Sequence, residues 1–182
     1  GGFQFRLGGT SHGSVRVLSN GMLQFGTDNG QYRVYTNTTL PAASVPARTG
    51  CPSGAPTNLL MPYWTDLDPG TGGNVTWEQK GTAPNRFVVV SWNNVLQYSV
   101  GTPYSFQVIL YESGEFKYQY GNANATGSNA TIGVQVNNSD YTLYSYNSGY
   151  NANGSAIRWY LASSTPRRLA EYRFDDYSYS GR

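Results

Sequence analysis

Two runs of residues with alternating apolar members, 104–112 and 115–120, are separated by Ser113-Gly114 alone. A two-residue connection between such runs specifies an antiparallel hairpin, with Phe106, Val108 and Leu110 on one face and Phe116, Tyr118 and Tyr120 following their own alternation. The rest of the chain repeats the pattern. Phe3, Phe5 and Leu7 alternate with polar neighbours, and Ser14-Val15-Arg16-Val17-Leu18 and Met22-Leu23-Gln24-Phe25-Gly26 flank Ser19-Asn20-Gly21, where Asn-Gly accepts the positive φ of a tight hairpin turn. Val15 and Val17 should face the core. Further strands are expected at 31–35, 131–136, 141–146 and 156–161. Ten or more short strands at this spacing predict an all-β fold, a two-layer antiparallel β-sandwich with long Pro/Gly-rich loops.

Two segments depart from simple alternation. Residues 36–58 carry Pro41, Pro46, Pro52 and Pro56, which exclude a central strand or long helix and predict a wrapped surface loop. Residues 85–95 are nearly continuously apolar and read as a central strand covered on both faces. Between them, 59–78 runs from Leu59-Leu60-Met61-Pro62-Tyr63-Trp64 through Asp66 and Asp68 into Gly70-Thr71-Gly72-Gly73-Asn74. This stretch is the feature around which the chain is organised. The 16 Tyr and 22 Gly, with 12% charged residues, suit pleated surfaces and turns.

Several function classes are disfavoured. The 12 Lys and Arg are scattered and net charge is only +2, so no nucleic-acid stripe forms. No apolar run of about eighteen residues exists, so no membrane insertion by a helix is expected. The first residue is Gly, and the chain is expected to be a processed or excised piece of a larger secreted product. Cys51 is the only cysteine: it is buried and inert, paired with another chain, or left over from a lost pair. The one histidine, His12, lies in a Gly/Ser loop without an evident orienting partner, which argues against a Cys/His nucleophile. Glu112 and Glu115 flank a hairpin turn rather than a cleft, so no catalytic residue is assigned and the chain is not expected to be an enzyme.

The remaining chemistry is that of binding. Asp66 and Asp68, spaced i, i+2 on a turn, could offer carboxylate oxygens to calcium with Asn74 completing the shell, although the same side chains cap turn amides readily. No other cofactor is implied. Trp64, Trp77, Trp92 and Trp159 are candidates to stack on a sugar, with loops 121–129 and 147–155 as walls and Asn74 among the polar groups. Alternation places Trp92 in the core and makes Trp64 a core candidate. Of the set, Trp64, Trp77 and Asn74 are assigned as ligand-binding residues. Residues 1–162 form the sandwich and 163–182 a linker plus a lone strand, in which Leu169, Tyr172 and Phe174 would mediate assembly if that strand completes a neighbouring sheet.

Leu18-Ser19-Asn20-Gly21-Met22-Leu23-Gln24-Phe25-Gly26 resembles the signature of nidogen-type extracellular domains, which carry an acid-bearing, aromatic-led turn like Tyr63-Trp64-Thr65-Asp66-Leu67-Asp68. Met61-Pro62-Tyr63-Trp64, Trp92-Asn93-Asn94-Val95 and residues 82–87 and 106–112 resemble bacterial surface proteins of the MshQ type, associated with mannose-sensitive haemagglutinin pili. The likeness covers residues 14–161. Residues 169–176 are similar to the opening strand of a concanavalin-like, laminin-G-type module, in which relatives carry a cysteine where this chain has Tyr177. If Cys51 pairs with that cysteine in relatives, this chain has lost the bridge; the resemblance implies a role at the cell surface without a reaction. The expected function is therefore a non-catalytic, extracellular adhesion module binding a glycan or a surface protein. The alternative is a structural filament subunit that self-associates through its C-terminal strand.

Overall fold

A computed structural model describes residues 1–26, 34–42, 56–122, 124–149 and 153–160, and the backbone alone of 161 and 172–178. Among them, no helix forms. The strands are β1 (Phe5–Leu7), β2 (Thr10–His12), β3 (Val15–Leu18), β4 (Met22–Phe25), β5 (Leu59–Trp64), β6 (Leu67–Asp68) and β7 (Asn74–Lys80). They continue as β8 (Phe87–Gln97), β9 (Pro103–Tyr111), β10 (Phe116–Tyr120), β11 (Thr131–Asn137), β12 (Asp140–Tyr146), β13 (Ser155–Leu161) and β14 (Tyr172–Ser178). All pairs are antiparallel. One layer has the order β14-β13-β10-β9-β8, with β6 and β7 both on the outer edge of β8, and the other has the order β12-β11-β5-β4-β3. The all-β sandwich expected from the sequence is the fold observed.

Alternation dictates the core. Phe106, Val108 and Leu110 of β9 and Phe116, Tyr118 and Tyr120 of β10 are all buried, and they face Leu60, Tyr63, Ile132 and Val134 of the opposite layer. The connection is three residues, Glu112-Ser113-Gly114, one more than the two expected: the Tyr111 N–H donates to the Glu115 carbonyl and the Gly114 N–H to the Tyr111 carbonyl, both at 2.9 Å. Val15 and Val17 pack on this core half-buried.

β5 is buried on both faces, as is the shorter β4, and β8 is not. Every residue of β5 is buried, whereas β8 alternates between buried and half-exposed positions. Apolar content in residues 85–95 reflects a central pairing position in its sheet, while the outer face of that sheet stays partly open. The outer face of β5 is covered by residues 34–42, whose Leu40 and Ala42 pack with Leu59, Met61 and Trp64. Buried Gln135 fastens this cover. Its Oε1 accepts from the Ala42 N–H at 2.9 Å, and its Nε2 donates to the carbonyls of Ala42 at 3.2 Å and Pro56 at 2.8 Å. Val34 and Tyr35 do not form the expected strand; the Val34 carbonyl instead accepts from the Trp64 indole at 3.2 Å. Residues 31–33, and Cys51 with the rest of 43–55, lie outside the described residues.

Pro62 inside a central strand demands an irregularity, because it has no N–H for the ladder. The register supplies one: Thr131 faces Trp64 and Gly133 faces Met61, so β5 spends three steps where β11 spends two. This bulge resets the alternation, sending Leu60 and Tyr63 inward and Met61 and Trp64 outward.

Candidate functional site

Beyond β5 the chain crosses between layers at Thr65-Asp66 and enters β6. The Asn20-Gly21 turn holds this crossing. Carbonyls of Asn20 and Gly21 accept from the N–H groups of Thr65 at 3.3 Å and Tyr63 at 3.4 Å, and the Asn20 side-chain oxygen accepts from Leu67 N–H at 3.0 Å. A Cβ on Gly21, whose φ is +75°, would lie 2.1 Å from the Tyr63 carbonyl oxygen, so only glycine permits this approach.

The acidic, glycine-rich turn is an excursion within a single edge strand. Leu67 and Asp68 face Gln97 and Leu96, and Asn74 then faces Asn93, so residues 69–73 loop out opposite only two residues of β8. Asp68 closes the loop: its Oδ1 accepts from Gly70 N–H at 2.9 Å, and its carbonyl accepts from the N–H and hydroxyl of Thr71 at 3.2 and 3.0 Å. Asn74 Oδ1 accepts from Asn93 Nδ2 at 2.9 Å. Two of the three expected calcium ligands thus have bonding duties of their own. Among the described residues, no group of three or more His, Cys, Asp or Glu comes together.

Asp66 behaves differently. Its backbone carbonyl accepts from Tyr98 N–H at 2.9 Å, while its carboxylate has no hydrogen-bond partner among the described residues. Burial, and secondarily the nearby Asp68 charge, push its pKa above the ordinary aspartate value. The side chain lines a polar groove of about 460 Å³ with Tyr35, Asn37, Gln97, Asn129 and Asn147. Among the described residues, no Lys or Arg lines it.

The groove is braced from beneath. Asn129 accepts from the Tyr63 hydroxyl at 2.8 Å and donates to Gln97 Oε1 at 3.0 Å and to the Tyr104 hydroxyl at 2.9 Å. Burial pushes the Tyr63 hydroxyl pKa well upward, keeping it a neutral donor. Asn37 Nδ2 donates to Asn147 Oδ1 at 2.8 Å and to Thr131 Oγ1 at 3.3 Å. These bonds fix the amides and leave Asn37 Oδ1, Asn147 Nδ2 and Gln97 Nε2 without a hydrogen-bond partner among the described residues. Alternating donors and acceptors, one carboxylate and the partly exposed Tyr35 ring form a site suited to a hydroxyl-rich molecule.

The tryptophans separate cleanly. Trp64, Trp92 and Trp159 are buried, and Trp77 on β7 is 71% exposed. Trp64 is therefore corrected from a ligand-stacking residue to a core residue: the cover over β5 removes its ring from solvent. Asn37, Asn147 and Gln97 escaped sequence reasoning because their meeting depends on three connections far apart in the chain, although loops 121–129 and 147–155 were expected as walls. Glu112 and Glu115 are in ion pairs, with Arg86 and with Arg158. His12 is half-buried against Phe25, and burial lowers its pKa.

The C-terminal strand adds to the same layer: β14 pairs with β13 from Leu161↔Tyr172 to Ser155↔Ser178, with Phe174 opposite Trp159. Leu169 lies outside the described residues. A family model described as NIDO related matches residues 2–176. No curated protein and no solved structure matches the chain.

Proposed function

The chain belongs to the NIDO-related family, and from that premise we propose that it is a non-catalytic extracellular module acting in adhesion, holding a glycan in the groove beside Asp66. The observation that carries this reading is the preorganised set of amides around a carboxylate with no partner among the described residues. Sugar hydroxyls donate and accept together, matching Asp66 and Asn37 Oδ1 as acceptors and Asn147 and Gln97 as donors, while the Tyr35 ring offers an apolar face. Among the described residues the groove carries a carboxylate and no cation, which disfavours phosphate-bearing ligands. The likeness to pilus-associated proteins supports placement on a bacterial surface. The strand 172–178 has a seat on β13 of its own chain, which favours adhesion over the strand-exchange subunit.

A glycan array probed with the wild type, Asp66→Ala and Asn147→Ala tests this. Wild type should retain one class of glycan, and each variant should bind it at least about tenfold more weakly, the loss expected for removing a hydrogen bond to a polar ligand. Binding by wild type should also weaken as pH falls through the raised Asp66 pKa, because protonation removes the acceptor. Retention of the same glycans by both variants would sink the assignment to this groove.

A further inference from the structure

Asp68-Pro69 is the one Asp-Pro bond in the chain, and it lies where the glycine-rich turn leaves β6. Such a bond joins two chemical weaknesses. The aspartate carboxyl sits one side chain away from its own main-chain carbonyl carbon, so its attack closes a five-membered ring and needs no second molecule. Proline makes the amide tertiary and departs as a secondary amine.

The fold adds to this chemistry. The Asp68 carboxyl is held towards the C-terminal side of its residue, because Oδ1 accepts from Gly70 N–H at 2.9 Å, beyond the bond to Pro69. The Asp68 carbonyl oxygen accepts twice from Thr71, from its N–H at 3.2 Å and from its hydroxyl at 3.0 Å. Two donors converging on a carbonyl oxygen stabilise the negative charge that gathers there when the carbon becomes tetrahedral. Both ends of the loop are pinned to β8. Asp68 faces Leu96 in the ladder, the Gly72 carbonyl accepts from Leu96 N–H at 3.4 Å, and a Cβ on Gly73 would lie 2.4 Å from the Asn94 carbonyl oxygen. Gly70 and Thr71 are exposed and Pro69 is half-exposed, so water reaches the bond. The residues facing β6 on β8, Leu96 and Gln97, carry no charge, and Asp66 is the titratable neighbour whose charge interacts with that of Asp68.

We infer that the turn 68–71 cleaves its own Asp68-Pro69 bond in mild acid. Oδ2 of the undissociated Asp68 carboxyl attacks the Asp68 carbonyl carbon. A C–O bond forms, the C–N bond to Pro69 breaks, and the nitrogen keeps the electron pair and takes the carboxyl proton. The cyclic anhydride left on Asp68 adds one water and opens to two carboxyl groups. One peptide bond is hydrolysed once per molecule, so the module has no turnover and glycan binding neither requires the cut nor is required by it. The two pieces stay together, because β5 of residues 1–68 pairs with β11 of residues 69–182. What changes is the crossing at Thr65-Asp66, which gains a free end two residues beyond Asp66.

The full chain is held at about pH 4, where carboxyl groups begin to take up protons, and at about pH 7, both folded and in urea. Intact mass under denaturing conditions follows the products. The expected products are residues 1–68 and 69–182, formed faster at the lower pH and at a rate independent of protein concentration. Urea-unfolded chain reports the intrinsic lability of the same bond, and the folded chain should exceed it at least about tenfold. Thr71→Val keeps the N–H and the side-chain volume but removes the hydroxyl donor, and should slow the folded chain about tenfold without changing the rate in urea. Asp68→Ala should abolish cleavage both folded and in urea. The proposal is overturned if the folded chain is cut no faster than the unfolded one, if the cut falls at another bond, if the rate rises with protein concentration, or if Thr71→Val is cut as fast as wild type.

Discussion

Asn20 and Gly21 each act at a distance that their own turn does not reveal. The Asn20 side chain caps the Leu67 N–H, a buried donor at the crossing between layers, and removing it leaves that donor unpaired. Asn20→Ala should therefore cost about 1–3 kcal/mol of stability in urea unfolding. It should also weaken glycan binding, because Asp66 is adjacent to the freed amide. Gly21→Ala meets both a left-handed backbone and the Tyr63 carbonyl, and the backbone strain alone is worth on the order of 1–3 kcal/mol. The sequence makes the Asn-Gly hairpin legible, since positive φ is a local demand. Its bonds to residues 63–67 are tertiary and invisible to any local rule. Asp68 was legible as a turn-builder for the converse reason: an Asx bond to Gly70 needs nothing beyond two residues.

At the level of elements, β9 and β10 were readable from their period, but the turn is one residue longer than the two-residue Ser113-Gly114 connection expected: Leu110 pairs with Phe116 and not with Lys117, which keeps buried residues opposite buried ones across the pair. The buried status of β5 was harder to read, because its outer cover comes from residues 34–42, a segment whose prolines announce only that it is not regular. Apolar runs in β5 and β8 look alike in sequence, and what distinguishes them is whether a loop returns to cover the outer face. Gln135 is the fastening of that loop, a buried polar side chain in a strand whose neighbours are apolar. Gln135→Leu should leave Ala42 N–H and two carbonyls without their partner and cost about 3 kcal/mol. Hydrogen exchange at 34–42 should accelerate in that variant more than exchange in β9 or β10. Equal acceleration everywhere would mean that the cover and the sandwich unfold as one unit. Tyr35 and Asn37 of the groove ride on the same segment, so glycan binding should fall with the cover's protection.

At the scale of the whole molecule, three carboxyl groups among the described residues have shifted pKa values, and they pull the acid response of stability in opposite directions. Glu112 is held below its ordinary pKa, chiefly by the hydrogen bond from Arg86, which also joins the carbonyls of Gly1 and Gly2 to the β8–β9 layer. With a depressed folded pKa, its contribution is complete above the unfolded value and is lost as pH falls towards the folded one. Asp66 and Asp140 are raised, each chiefly by burial, and one oxygen of Asp140 is buried with no hydrogen-bond partner among the described residues. Their ionised forms oppose folding at neutral pH, and stability is recovered as pH falls through their raised values towards the ordinary aspartate value near about 3.9. Urea unfolding followed between about pH 7 and pH 3 should therefore show stability rising on mild acidification and then falling. Asp140→Asn should raise stability at neutral pH and flatten the rising limb, because an amide carries no charge to desolvate. Glu112→Gln should lower stability at neutral pH and flatten the falling limb, because the pair that holds the N-terminal residues to the sheet no longer has a proton-dependent half. A wild-type profile that falls monotonically from neutral pH would show that desolvation of Asp66 and Asp140 is too weak to matter, and with it the argument that Asp66 is primed to accept hydrogen bonds from a ligand.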